Sequence, residues 1–236
     1  MNTSNLNSPW TAVPWIEVDV SQQLLNAKSP NDFLSFIEHA NKLKQTRIWK
    51  THAPFCNFPS KNISPKTKIL HIIRNPKDVI CSYFDFFKKE PLVNYKGSFN
   101  TLFDWFCEGT VVHSSFFDFE LNWFRALNNG ILTKQQLLII SYEDINRKPA
   151  EVIKKVGNFL GYKLNEDKIN KIAEAISFKK SKEEARKQSD MHVIVNKGKI
   201  GRWKDILTNE QSERLDRICK ARLKDSIPDG IKFVYE

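Results

Sequence analysis

The segment that leaves the fewest folds open is Thr67 to Phe87, TKILHIIRNPKDVICSYFDFF, where an apolar strand runs without a spacer into a cationic, proline-started helix. Ile69, Leu70, His71, Ile72 and Ile73 form a short, largely β-branched run between Pro65 and Asn75-Pro76, the pattern of a buried parallel strand. Asn75 reads as a helix N-cap, Pro76 as the first helical residue and Asp78 as the carboxylate of the third position. Free backbone N–H groups and the positive end of the helix dipole attract an anion at such a start. Arg74 adds a forked, permanent charge beside it, and Ser82, a turn further on, a hydroxyl. A second reading fits the same residues: Arg74 and Asp78 as a structural ion pair at the cap. This stretch alone leaves both open.

The rest of the chain repeats the alternation of strand and helix. The spacing of Phe33, Leu34, Phe36, Ile37 and Ala40 predicts an amphipathic helix over 29–43, and Arg47 to His52 reads as a short strand. Residues 98–109 and 113–129 carry helical patterns rich in Phe and Trp, and Leu137 to Ser141 is a second apolar strand followed by Tyr142-Glu143-Asp144. Lys148-Pro149 opens a helix to Leu160 that Gly161 closes, residues 165–175 form another, and the last runs from about Thr208 to Leu223. Between them, 178–202 is a polar, basic stretch that reads as a long functional loop. This order predicts an α/β fold, a parallel sheet with helices on its faces in three layers. A polar tail over 1–12 and a single domain over 13–236 are expected from the length and pattern.

Composition narrows the partners. A net charge of +10 favours anionic ligands, but the basic residues are scattered, so a nucleic-acid-binding protein is not the leading reading. Cys56, Cys81, Cys107 and Cys219 form no C-x-x-C pair and no spacing with histidine that suits zinc, so they read as reduced thiols and no metal is expected. No signal peptide opens the sequence and no apolar run is long enough to span a bilayer, which predicts a cytoplasmic protein without a membrane partner.

Several separated segments agree on one family. VPWIEV at 13–18, Trp49-Lys50-Thr51-His52-Ala53-Pro54, RNPKDVICSYF at 74–84, SYEDI at 141–145, Ser177-Phe178, and Lys197-Gly198 with Gly201-x-Trp203-Lys204 follow one another in order. Together they resemble the cytosolic sulfotransferases that use 3′-phosphoadenosine 5′-phosphosulfate (PAPS), and the resemblance covers most of the chain. It implies the nucleotide-kinase-like sulfotransferase fold, PAPS as co-substrate, and a small apolar or aromatic acceptor bearing a hydroxyl or amine. Sulfuryl transfer needs a base for the acceptor proton and cations for charge building on the leaving phosphate. The resemblance gives the first task to His52, whose imidazole titrates near neutral pH. Lys50 would orient the site or stabilise the sulfuryl oxygens.

Arg74 and Ser82 carry over as ligands of the 3′-phosphate. A charge-assisted contact of that kind contributes roughly 1.5–3 kcal/mol, which is about tenfold to a hundredfold in affinity. Tyr142 would hydrogen-bond the adenine, Phe178 would pack on its face, and Lys197 and Gly198 would close over the 3′-phosphate. Trp15, Phe84 and Phe86 are candidates for the acceptor pocket, with core packing as the competing reading.

Three departures qualify the resemblance. Nothing resembles the family's Thr-Tyr-Pro-Lys-Ser-Gly-Thr-Thr-Trp loop, which binds the 5′-phosphosulfate upstream of the Lys-Thr-His segment, and only 49 residues precede Lys50. The expectation is a shortened chain without the first strand and that loop, which would leave neighbouring strands with unpaired backbone. Asn196 stands where the family has an arginine. The family's dimer motif reads Lys204, Thr208, Asn209 and Glu213, and asparagine in place of valine argues against homodimerisation. Two other classes therefore stand beside an active sulfotransferase: a non-catalytic 3′-phosphoadenosine-binding relative, and a basic module for RNA or another polyanion.

Overall fold

A computed structural model describes residues 46, 48–58, 63–89, 93–111, 114–177 and 198–234, and the chain divides into two units, Met1–Ala53 and Pro54–Glu236. In the first unit, the expected strand over 47–52 does not form a ladder among the described residues: Lys50 makes an isolated bridge, and Ile48, Trp49, Thr51 and His52 belong to no strand. Thr51 Oγ1 instead accepts a hydrogen bond from Ala53 N–H at 3.0 Å, a local bond that competes with strand pairing. The helix expected over 29–43 lies outside the described residues.

The second unit is built on two parallel strands. Strand β1 (Ile69–Ile73) pairs with β2 (Leu137–Ser141) in register from Ile69↔Leu137 to Ile73↔Ser141. Their facing edges therefore leave no row of backbone polar groups open. Three helices fill the crossover between them: α1 (Pro76–Lys89), α2 (Phe99–Glu108) and α3 (Phe116–Asn128). After β2 come α4 (Tyr142–Arg147), α5 (Pro149–Phe159), α6 (Glu166–Ala175), a 3₁₀ turn at Arg202–Asp205 and α7 (Asn209–Leu223). The fold is α/β, a parallel sheet with flanking helices, as the sequence predicts.

Local chemistry explains the boundaries. Ser98, Ser115 and Asn165 each accept the N–H three residues on, and Thr208 makes a reciprocal capping box with Gln211. Gly161, at φ 84°, follows the end of α5 in the left-handed conformation that a side chain would resist. Within the stretch read as a long loop, residues 178–197 lie outside the described residues, and Arg202 already begins the 3₁₀ turn. No helix among the described residues is long and apolar enough to cross a membrane.

The phenylalanines form the core. Phe103, Phe106, Phe117 and Phe124 are fully buried together with Leu102, Leu215 and Leu223, so α2, α3 and α7 pack through them. Each such side chain contributes about 1.5–3 kcal/mol of burial.

The two strands differ in how they meet this core. Leu137, Ile139, Ile140 and Ser141 of β2 are all buried, spanning both faces. On β1 only one face is buried. His71 and Ile73 point into the core, whereas Leu70 is 42% exposed and Ile72 54%, so β1 is not the strand covered on both sides that its composition predicts. The covered face is set by α3: His71 Nε2 lies 2.7 Å from Glu120 Oε2, and its ring stacks on Trp123 with centroids 5.4 Å apart. A polar residue is thus accommodated in the sheet because a carboxylate and an aromatic ring meet it there.

Candidate functional site

Because Ile73 pairs with Ser141, β1 and β2 end together, and the two residues that follow each strand become neighbours. The carboxyl ends of adjacent parallel strands are where α/β sheets bind ligands. Arg74 follows β1 and Tyr142 follows β2, and the Arg74 guanidinium carbon lies 4.3 Å from the centroid of the Tyr142 ring. Behind them, Glu143 is wholly buried and its Oε1 accepts a hydrogen bond from Asn75 N–H at 3.0 Å. Glu143 Oε2 is also buried and has no hydrogen-bond partner among the described residues. Burial pushes the Glu143 carboxyl above its ordinary range, against the opposing pull of the Asn75 N–H and the Arg74 charge.

The start of α1 departs from the sequence reading in two respects. Two of its backbone donors are already used inside the protein: Asn75 N–H goes to Glu143 and Lys77 N–H to Asn75 Oδ1 at 2.9 Å, while Pro76 has none. Asn75, Pro76, Lys77 and Asp78 are all buried. With these donors taken, an anion at this junction would be met chiefly by side chains. Nor do Arg74 and Asp78 pair. Asp78 is turned away, accepting from Gly201 N–H at 2.7 Å and Trp203 N–H at 3.0 Å. Among the described residues the Arg74 guanidinium has no carboxylate partner, and its buried Nε has no acceptor.

Asp78 belongs to a wider attachment of α1 to the 198–216 region. The Lys77 ammonium bonds Ser212 Oγ at 2.7 Å and Asp216 Oδ2 at 2.8 Å, and lies 4.4 Å from the Trp203 ring centroid. Arg202 forms an ion pair with Asp85. Asp78, Ser82 and Asp85 fall on one stripe of the helix, so the half-buried Ser82 lies between the two carboxylates that hold the turn. Gly198 is half-buried at φ 63° just upstream, while Lys197 and Phe178 lie outside the described residues.

The remaining predicted residues distribute as follows. Lys50 and His52 are exposed in the first unit, and Trp15 lies outside the described residues. Phe84 meets Phe99 edge-on at 5.3 Å and Phe86 lies 6.0 Å from Phe87, so both half-buried rings join the packing of the α1–α2 core. Lys204, Thr208, Asn209 and Glu213 are exposed, with Thr208 engaged as the cap of α7. Sequence reasoning missed Glu143 and the partners of Asp78. The signal for Glu143 was present in Ser141-x-x-Asp144, a cap signature that makes the next residues helical and turns Glu143 inward. No comparable signal exists for Asp78, whose partner Gly201 is 123 residues away.

Comparison with known proteins agrees with this architecture. The sulfotransferase domain family matches residues 2–227. Mouse sulfotransferase 2A1 is 30% identical over 241 residues, covering 96% of this chain and 75% of the relative. Human sulfotransferase 2A1 is 27% identical over 225 residues, covering 92% and 72%. Among solved structures, the mouse sulfotransferase SULT7A1 complexed with PAP superposes with a TM-score of 0.73 at 26% identity, covering 89% of this chain and 80% of that one. A retinol dehydratase in complex with retinol and PAP, 20% identical, shares the fold with a TM-score of 0.71 over 99% of this chain and 69% of its own. With the family match spanning nearly the whole sequence and a relative 30% identical over 96% of it, this chain belongs to the sulfotransferase family.

Proposed function

We propose that the chain transfers the sulfuryl group of PAPS to a hydroxyl or amine of a small apolar or aromatic acceptor. The observation that carries the reading is the Arg74 guanidinium lying over the Tyr142 ring, without a carboxylate partner among the described residues, at the carboxyl ends of two paired parallel strands. A cation held in place by an aromatic face and left without a counter-charge suits a phosphate. Ser82 offers a hydroxyl on the adjoining helix. In this reading Arg74 and Ser82 meet the 3′-phosphate, Tyr142 and Phe178 the adenine, and Lys197 and Gly198 close over the phosphate. Trp15, Phe84 and Phe86 would contribute apolar surface for the acceptor.

In the reaction, the acceptor oxygen or nitrogen forms the new bond to sulfur and the bridging S–O bond of the phosphosulfate breaks. The acceptor proton goes to His52, and the leaving 5′-phosphate keeps the electron pair. Lys50 supplies positive charge for the sulfuryl oxygens. The mouse enzyme complexed with PAP supports the nucleotide part of the reading by analogy.

The test is a calorimetric titration of the chain with 3′-phosphoadenosine 5′-phosphate (PAP), followed by transfer from PAPS to a simple phenol. Binding that Arg74→Ala weakens about tenfold to a hundredfold, with turnover that His52→Ala abolishes while PAP still binds, is the expected result. A folded chain that does not bind PAP would sink the proposal. Binding without transfer would leave a nucleotide-binding relative without the catalytic step.

A further inference from the structure

Asp78 touches neither Arg74 nor any group so far placed at the nucleotide, yet it is 1% exposed and both of its oxygens accept backbone N–H groups from a turn far along the chain. A carboxylate is costly to bury unless it is fully hydrogen-bonded, and here the two bonds satisfy it. The donors, Gly201 and Trp203, flank Arg202, whose guanidinium pairs with Asp85 two turns down the same helix face. Lys77 lies against the Trp203 ring and bonds Ser212 and Asp216. Three consecutive turn residues are thus each held by the first three turns of α1. Gly201, at φ 73°, gives the turn the left-handed step that points neighbouring N–H groups toward one anion. That anion is supplied by the protein itself. The Gly201 and Trp203 amides are consequently unavailable to a ligand, and what the turn offers outward begins upstream, at Gly198.

We infer that Asp78 is a positioning residue for recognition of the 3′-phosphate: with Asp85 it clamps the Gly201–Trp203 turn across the helix face that carries Ser82, and so fixes where Gly198 stands. The inference rests on the PAP reading above and adds to it. Arg74 and Ser82 would supply charge and hydroxyl, while Asp78 keeps the third contributor in place without touching the ligand. Ser82 lies on the stripe between the two clamped carboxylates, so the turn cannot shift along the helix without breaking one of the bonds.

The experiment compares two nucleotides that differ in the 3′-phosphate, PAP and adenosine 5′-monophosphate, on the wild-type chain and on Asp78→Asn, with circular dichroism to check that the variant is folded. Asparagine keeps one acceptor and presents an N–H₂ group to the other amide. The expected result is a loss of PAP affinity of about tenfold with adenosine 5′-monophosphate affinity unchanged. A general loosening of the fold would weaken both nucleotides alike, and that outcome overturns the inference, as does unchanged PAP binding. If Asp78→Asn does not fold, the same pair of titrations on Asp85→Asn decides: selective loss for PAP supports the clamp, and equal or no loss overturns it. A wild-type chain that binds neither nucleotide defeats the nucleotide reading itself, which separates that failure from failure of the clamp.

Discussion

The two strand-to-helix junctions stand side by side but use their polar groups differently. At the β2–α4 junction the bonds are local: Ser141 caps its own helix by accepting from Asp144 N–H at 3.0 Å, and Asn146 bonds back to Tyr142 O. At the β1–α1 junction the ties are long-range, from Asn75 to Glu143 and from Asp78 to Gly201 and Trp203. The self-contained junction serves as a scaffold and lends its ring and carboxylate to the other. The dependent junction is fixed from several directions, so its arginine can be held without a counter-charge from the described residues. A site for an anion needs such a cation, and rigidity borrowed from elsewhere is how a fold keeps one.

The two buried carboxylates sharpen the contrast. Asp78 has both oxygens satisfied, whereas Glu143 has one satisfied and one without a partner among the described residues. The largest effect is therefore expected from Asp78→Ala, which strands two amide donors and should cost roughly 2–6 kcal/mol of stability, measured by urea unfolding. A loss below about 1 kcal/mol would mean water replaces the carboxylate and the clamp is weak.

Next comes Arg74→Ala. With its guanidinium outside any ion pair among the described residues and its main contact the Tyr142 ring, stability should change by no more than about 1 kcal/mol, while PAP affinity falls about tenfold to a hundredfold. Equal loss of stability would make Arg74 a structural residue and erase the difference between the junctions.

Glu143→Gln should act through pH. A carboxyl whose folded-state pKa is raised contributes stability that is fully present below its unfolded pKa and is lost as pH rises through the folded value. The wild-type chain should thus lose melting temperature relative to Glu143→Gln as pH climbs from the ordinary carboxylate range upward. Glutamine can still accept the Asn75 N–H. Parallel curves for the two proteins would show that its surroundings do not raise the Glu143 carboxyl.

The smallest effect concerns thiols. Cys81, on the buried side of α1, and Cys107 are pushed up to about 12 and about 11 by burial, so iodoacetamide at mildly alkaline pH should modify the exposed Cys56 first. Labelling of Cys81 in Asp78→Asn but not in the wild type would reveal that the clamp holds the helix as well as the turn.

Much of this was legible in the sequence because it depends on neighbours. Both strands were bounded by apolar runs and turn residues, Pro149 and Gly161 marked α5, and Asn165 and Thr208 announced their helices. Most of what escaped depends on distance, the segment around Thr51 being a local exception. Thr51 folds back onto Ala53, so a β-like composition did not become a ladder. His71 reads as part of an apolar run, and its buried partner Glu120, 49 residues later, could not be read from its neighbours. The free N–H groups expected before α1 follow from a generic helix start, and the buried Glu143 and the Asn75 side chain take two of them. The arginine-to-tyrosine stack could be named residue by residue through the family resemblance, but not as a contact.

The pairing of Asn75 with Glu143 joins residues 68 positions apart, with three helices between them. Chain-closure entropy over such a distance has to be met before the two strands reward each other, whereas the phenylalanine-packed helices of the crossover are much nearer in sequence. We therefore expect the helices to gather first and the strand ends to meet late on the folding path. Pulse-labelling hydrogen exchange in which the amides of His71 and Ile140, which donate across the strand pair, gain protection before those of Phe103 and Phe124 would reverse that order. If it holds, the cation-bearing end of the sheet comes into being only when the rest of this unit is complete, and a nascent or partly folded chain has no nucleotide site to offer.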